Sequence, residues 1–226
     1  MSAGPLLILF GREPRPGEVK TRLCPPLSPE EAAALYEAFL ADVCAGALRL
    51  QASLGCAVRL ALAGPPGAAS GSKMGVPLVP QRGAGLGERM EQAFREGFAE
   101  GHGPIVLRNS DSPELEDARL QEAFALLEMG SDLVLGPDLG GGYYLIGLRE
   151  LLPSLFQTPA LGDHGEGGSV FGWTLGQALA LGLRASVLPR APDVDLPADL
   201  EALRRRLEDS PQRAPNTAKW LHGGHR

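Results

Sequence analysis

Short apolar runs alternate with amphipathic segments along nearly the whole chain, and this alternation restricts the fold more than any other feature. Leu6–Phe10, Cys56–Ala63, Val76–Val79, Pro104–Leu107, Asp132–Leu135, Tyr143–Leu148 and Arg184–Leu188 read as strands, most of them apolar enough to be buried on both faces. Between them, helical spacing of apolar residues predicts helices. The first opens at Ser28-Pro29-Glu30-Glu31, a Ser cap with Pro at the first helical position and Glu three residues on, and carries Ala32, Tyr36, Phe39, Val43 and Ala47 on one face. Others are expected over Leu86–Glu100, Ala118–Glu128, Leu151–Phe156, Ser169–Leu181 and Pro197–Leu207, with a last short one over Ala214–His222. Gly67–Gly75 and Thr158–Gly168 read as loops. Such alternation builds a mostly parallel central sheet covered on both faces, an α/β fold of three layers (α/β/α, Rossmann-like), with ligands beyond the carboxyl ends of the strands. No internal repeat or linker divides the 226 residues, so residues 1–226 are expected to form a single domain.

Composition removes several function classes. The net charge of −6 leaves no dominant basic surface, which argues against nucleic-acid binding. The run Arg204-Arg205-Arg206 sits beside Glu201, Glu208 and Asp209 and reads as a solvated helix face. No apolar run approaches membrane-spanning length, and the opening residues lack the basic and long apolar regions of a signal peptide. Cys24, Cys44 and Cys56 have no zinc-type spacing and fit a reducing compartment. The expectation is a soluble cytoplasmic protein.

The segment FGREPRPGEVKTRL, Phe10–Leu23, carries the first chemistry. A buried strand stops at Gly11, and Arg12, Arg15, Lys20 and Arg22 follow on a track disciplined by Pro14, Pro16 and Gly17. A loop of glycines and cations leaving the first strand is how α/β proteins hold phosphates. Asp111, in Asn109-Ser110-Asp111-Ser112-Pro113, is delivered to the sheet edge by another strand. A carboxylate there can ligate Mg²⁺ beside phosphate oxygens, or Asp111 or Ser112 can cap the next helix; the strand-end setting favours the metal. Asp193 and Asp195 precede the helix start at Leu196-Pro197 and offer the same two roles, with Asp199 able to serve the helix instead. Gly140-Gly141-Gly142 lets backbone approach a ligand closely or simply turns a hairpin, with Pro137 and Asp138 specifying the loop. Arg89, after the flexible segment Gln81–Gly85, can reach a phosphate or base or lie on an exposed helix face. His164, flanked by Asp163 and Glu166, reads as solvated rather than metal-bound, and His102, His222 and His225 have no partner legible in the sequence. No Ser-His-Asp or Cys-His nucleophile, Walker loop or dinucleotide glycine fingerprint is present.

PRPGEVKTRL, LGERM, SDSP, GGYYLIGL and DVDLPADL occur in the order and approximate spacing of one family. The chain resembles the DUF2064 transferases, a group also known as radical-SAM/selenodomain-associated transferase 1 and arsenosugar-biosynthesis glycosyltransferases, from Leu6 to about Leu221. The resemblance implies the nucleotide-diphospho-sugar transferase (GT-A) fold, related to the 2-phospho-lactate guanylyltransferases and the molybdopterin nucleotidylyltransferases. It implies Lys20 and Arg22 on nucleotide phosphates, Asp111 holding a divalent Mg²⁺ or Mn²⁺, and Asp195 adding to that site. Catalysis is thus expected from Lys20, Arg22 and Asp111, and nucleotide binding from Gly11, Arg12, Gly17, Lys20, Arg22, Arg89, Ser110, Gly141 and Gly142. The expected partners are a nucleotide or nucleotide sugar and a small-molecule acceptor. The chain departs from the family pattern at Arg12 (the early Lys), Gly85 and Gly140 (each an Asp), Leu196 (a Thr) and Gly165-Glu166-Gly167 (a Trp-Ser-Thr). Glycosyl transfer leads, nucleotidylyl transfer follows closely, and the departures leave open a nucleotide-binding protein without turnover.

Overall fold

The computed structural model describes residues 3–64, 74–157 and 169–223. The part of the expected loops at 67–73 and 158–168, with Asp163, His164, Glu166 and the Gly165-Glu166-Gly167 departure, lies outside these residues, as does His225. Strands β1 (Gly4–Arg12), β2 (Ala57–Ala63), β3 (Leu78–Pro80), β4 (His102–Asn109), β5 (Leu133–Pro137), β6 (Tyr143–Leu148) and β7 (Ala185–Val187) form one seven-stranded sheet in the order β3-β2-β1-β4-β6-β5-β7. Only β6 runs antiparallel to its neighbours β4 and β5; the other pairings are parallel.

Helices α1 (Pro29–Leu54), α2 (Leu86–Ala99), α3 (Asp117–Glu128), α4 (Val170–Ala180), α5 (Pro197–Asp209) and α6 (Pro215–His222) complete the layers. Successive strand residues face opposite sides, so Leu7 and Leu9 of β1 pack with α1, α3, α5 and α6, whereas Leu6 and Ile8 pack with α2 and α4. The sheet is therefore covered on both faces, as the apolar runs require. Gly97 lets α2 approach closely: a Cβ there would stand 2.7 Å from Ile105 and 2.8 Å from Leu6.

Local chemistry sets the ends. Ser28 Oγ accepts from the Glu31 amide, Glu31 returns a bond to the Ser28 amide, and Gly55 closes α1 in the left-handed region. Two expected elements shift. The strand near Val76 begins only at Leu78, past Pro77, which has no N–H to donate. The expected helix at Leu151–Phe156 is a single 3-10 turn, Pro153–Phe156, begun by its proline.

The last helix has no capping side chain of its own at Ala214. Asp42 of α1 supplies one from across the layer: its carboxylate, 5% exposed, accepts from the Asn216 and Thr217 amides, Asn216 Nδ2 and Thr217 Oγ1. Asp42→Ala would orphan all four donors, and a cap loss joined to unpaired buried groups costs about 2–4 kcal/mol. Chemical denaturation should show a loss of that size, with Asp42→Asn losing less; unchanged stability would refute the borrowed cap.

Candidate active site

At the carboxyl edge of the sheet lies an open cavity of about 660 Å³. The ends of β1 and β4, the start of antiparallel β6 and the loop after β7 surround it, and α2 contributes Leu86, Arg89 and Met90.

The β1 loop is fixed from both ends. The Glu13 amide continues the sheet pairing onto Ala63, and the Arg12 amide donates to Tyr36 Oη at 2.9 Å. Tyr36 Oη also shares a 2.6 Å hydrogen bond with Ser110 Oγ, which ties α1 to the ends of β1 and β4. Gly11 makes room for that contact, since a Cβ would meet Tyr36 Oη at 2.9 Å and Ser110 Oγ at 3.1 Å. Burial first, and then the nearby Asp111 charge, push the Tyr36 phenol up to about 12. Gln81, in the segment read as flexible, is instead fastened: its Nε2 donates to the Gly11 and Ala61 carbonyls.

Buried Val19 and Leu23 anchor the other end of the loop in the core, and Leu23 closes a 3-10 turn, Thr21–Leu23. Lys20 stands in the left-handed region at φ 47°, a conformation that costs a non-glycine residue about 1–2 kcal/mol. It aims the side chain inward. The ammonium, with its side chain 6% exposed, reaches Asp111 Oδ1 at 2.5 Å, Asp195 Oδ1 at 3.0 Å and the Val194 carbonyl at 2.8 Å. Burial opposes its charge, but Asp111 and Asp195 together outweigh burial and hold the Lys20 pKa above its ordinary value. Arg22, more exposed, approaches Asp195 Oδ2 at 3.7 Å.

Asp111 is held by what lies beneath it. Arg108, 2% exposed, donates from Nε to the Asn109 carbonyl and from Nη2 to the Ser112 carbonyl, clamping the turn on both sides of Asp111. Burial draws the Arg108 pKa down to about 10, against the pull of neighbouring groups including Asp117 and Asp111. Helix α3 begins at Asp117 with Glu116 before it, so Asp111 and Ser112 do not cap it. On the other side, Asp199 accepts from the Asp195 and Leu196 amides. Asp199 thus serves α5, and the Asp195 carboxylate turns to Lys20 and Arg22.

Asp138 and Asp193 also line the cavity. Asp138 Oδ1 accepts from the Gly142 amide at 2.7 Å, and burial raises the Asp138 pKa. Burial, then Asp138 and Asp195, push the Asp193 carboxyl up to about 6. A Cβ on Gly140 would sit 3.6 Å from Asp138 and 4.0 Å from Asp193. The acid expected at position 140 is thus absent, and the carboxylates beside that position are those of Asp138 and Asp193.

The expected nucleotide contacts divide. Gly11, Arg12, Lys20, Arg22, Arg89 and Gly142 line the cavity, as do Asp111 and Asp195. Gly17, Ser110 and Gly141 do not. Gly17 turns the chain in the left-handed region beyond the cavity, and Ser110 is spent on Tyr36. The Gly141 carbonyl takes the Ser169 hydroxyl and the Phe171 amide, which pins the start of α4. His102 lies at the opposite sheet edge against the Gly4 carbonyl. Tyr36, Gln81, Arg108 and Asp138 escaped the sequence reading; the alternation of Arg108 with buried Val106 on one strand face was the one available signal.

Among the described residues no group of three or more His, Cys, Asp or Glu side chains could hold a metal ion alone. Two carboxylate oxygens and a carbonyl oxygen converge instead on one cationic centre, the Lys20 ammonium. Such a set suits Mg²⁺ or Mn²⁺ when phosphate oxygens complete the shell.

The family described as "Uncharacterized protein conserved in bacteria (DUF2064)" matches residues 47–163. No curated protein matches the chain. Among solved structures, a candidate nucleotide-diphospho-sugar transferase from Desulfovibrio desulfuricans G20 is 31% identical, with 99% of this chain and 95% of that chain covered and a TM-score of 0.85. A cytidylyltransferase from Leptospira borgpetersenii serovar Hardjo-bovis shares the fold at 14% identity, 99% and 94% coverage and a TM-score of 0.57. CMP:2-keto-3-deoxy-manno-octonic acid synthetase, solved with CTP, does so at 13% identity, 91% and 99% coverage and a TM-score of 0.56. With its family signature matched and its three-layer architecture shared, this chain belongs to the DUF2064 family and has the α/β fold of the nucleotide-diphospho-sugar transferases.

Proposed function

We propose that residues 1–226 act as one transferase domain that binds a nucleotide-activated donor and a divalent metal at the carboxyl edge of the sheet. The observation that carries this reading is the meeting of Lys20, Asp111 and Asp195 inside the cavity. Glycosyl transfer from a nucleotide sugar to a small-molecule acceptor is the leading reaction. The similarity to a candidate nucleotide-diphospho-sugar transferase supports it. Free cysteines and the absence, among the described residues, of any helix fit to cross a membrane agree with action in the cytoplasm.

Asp111 and Asp195 would hold Mg²⁺ or Mn²⁺. Bound there, the metal would neutralise the diphosphate and stabilise it as a leaving group. Lys20 and Arg22 offset the charge that gathers on the departing oxygens, and Arg12 and Arg89 line the approach for the rest of the nucleotide. The bond between the anomeric carbon and the diphosphate oxygen breaks with its electron pair leaving on the diphosphate, as the acceptor oxygen bonds to that carbon and its proton passes to solvent. Asp138 and Asp193 form the acidic side of the cavity where the acceptor would sit.

A second reading rests on a specific feature. Asp111 is flanked by Ser110 and Ser112 rather than by a second carboxylate, and Lys20-Thr21-Arg22 suits a triphosphate. In nucleotidylyl transfer an acceptor phosphate oxygen attacks the α-phosphorus and pyrophosphate leaves.

Incubation with nucleotide sugars and nucleoside triphosphates, with Mg²⁺ and candidate acceptors, should release nucleoside diphosphate under the first reading and pyrophosphate under the second. Nucleotide binding without any product would reduce the protein to a binder. Lys20→Ala should weaken nucleotide binding by about tenfold or more, since a charge-assisted contact is worth about 1.5–3 kcal/mol. Arg22→Ala, at a more exposed group, should cost less. Asp111→Ala should abolish the dependence of nucleotide binding on Mg²⁺ in calorimetric titrations. Wild-type behaviour of both Lys20→Ala and Asp111→Ala would overturn the assignment.

A further inference from the structure

We infer that Lys20 is an exchangeable internal counter-ion that keeps divalent metal off Asp111 and Asp195 until phosphate arrives, so that metal binding is conditional on the donor. This rests on the proposed nucleotide–metal reading and adds an order of events to it.

Lys20 leaves little space for a second cation. An ammonium has three N–H donors, and here three oxygens meet them: Asp111 Oδ1 at 2.5 Å, the Val194 carbonyl at 2.8 Å and Asp195 Oδ1 at 3.0 Å. A Mg²⁺ ion binds carboxylate oxygens at about 2.0–2.1 Å. An ion on the same two Oδ1 atoms would therefore lie in contact with the ammonium, and like charges at that range inside a protein repel strongly. The two cations exclude each other. Either the metal stays away or Lys20 moves.

The fold permits movement of the side chain alone. Val19 and Leu23 hold the backbone on each side of Lys20 in the core, and the left-handed conformation at Lys20 fixes where its stem begins. The four-carbon stem carries the ammonium into the cavity, where Arg12, Arg22 and Arg89 also face the space for phosphates. Phosphate oxygens would give the ammonium new acceptors in place of the three it leaves. Without phosphate, departure would exchange two carboxylate oxygens and a carbonyl for water alone and leave Asp111 and Asp195 facing each other without the cation between them. Thermodynamic linkage then makes the coupling mutual: phosphate raises metal affinity by the same factor by which metal raises phosphate affinity.

The contrast with a fixed ion pair is measurable without turnover. Mn²⁺ alone, followed by the electron paramagnetic resonance of the free ion, should bind wild type weakly. Lys20→Met, which keeps the stem and removes the charge, should bind Mn²⁺ alone more tightly by about tenfold or more. Lys20→Met combined with Asp111→Asn should lose that gain, and Lys20→Arg, which keeps a cation, should not show it. Equal Mn²⁺ binding by wild type and Lys20→Met would overturn the proposal. Should Lys20→Met fail to fold, the ¹⁵N-labelled ammonium resonance of Lys20 in wild type decides. It should shift on addition of Mg²⁺ with inorganic pyrophosphate and stay in place with Mg²⁺ alone; a resonance unmoved by bound Mg²⁺-pyrophosphate overturns the exchange. Pyrophosphate binding by wild type separates the two levels: if it binds with Mg²⁺ while Lys20→Met gains no metal affinity, only the exchange falls. If wild type binds neither pyrophosphate nor any nucleotide, the nucleotide reading falls and takes the exchange with it.

Discussion

One buried ammonium ties together three segments that the sheet brings to the same edge. Lys20 follows the first strand, Asp111 the fourth, and Val194 and Asp195 the last. A single cation with three directed donors does what a metal does in other sites: it fixes the separation of several oxygens at once. Its surroundings are built for that arrangement. The Val194 amide returns a bond to the Asp111 carbonyl, Asp199 leaves Asp195 free to turn inward, and Arg108 grips the turn that carries Asp111. A buried charge without partners would be expelled or neutralised, so the two acids and the lysine depend on one another.

Charge is unevenly spread around the cavity. The early segment and α2 bring Arg12, Lys20, Arg22 and Arg89, with Glu18 among them, and the other acids come from the turns after β4, β5 and β7. The first side suits an anionic donor. The second, where Asp138 and Asp193 resist ionisation because they are buried near other acids, suits a neutral or hydrogen-bonding group better than another anion.

Much of this is legible in the sequence, because it is local. Apolar alternation specifies which segments pair and which cover them, and Ser28 with Glu31 marks the start of α1 by short-range hydrogen bonds. Asp199 beside Leu196-Pro197 likewise announces a cap. Arg12, Lys20, Arg22, Asp111 and Asp195 could be placed at one edge because strand ends in a parallel sheet share a side. What escaped depends on contacts far apart in the chain. Tyr36 looks like one more core residue of α1 until Ser110 meets its hydroxyl, and Arg108 looks misplaced in an apolar strand until two carbonyls accept from it. Asp138 reads as a loop residue because it stands two positions from where the family pattern puts its acid. The turn, whose direction sequence spacing alone does not give, nonetheless brings it to the cavity wall beside Asp193.

That turn carries a further consequence. Because β6 runs against its neighbours, the cavity is met by the residues that enter the strand, and Tyr143 and Tyr144 face opposite layers: Tyr144 joins the core beneath α1 and α3, and Tyr143 packs toward α2 and α4. Strand geometry has a period of two, so sliding β6 by one residue against β4 and β5 would exchange the two rings between layers. Register in β6 is therefore quantised, whereas the turn before it is not: a change of its length leaves both rings in their layers and moves only the backbone that meets the cavity.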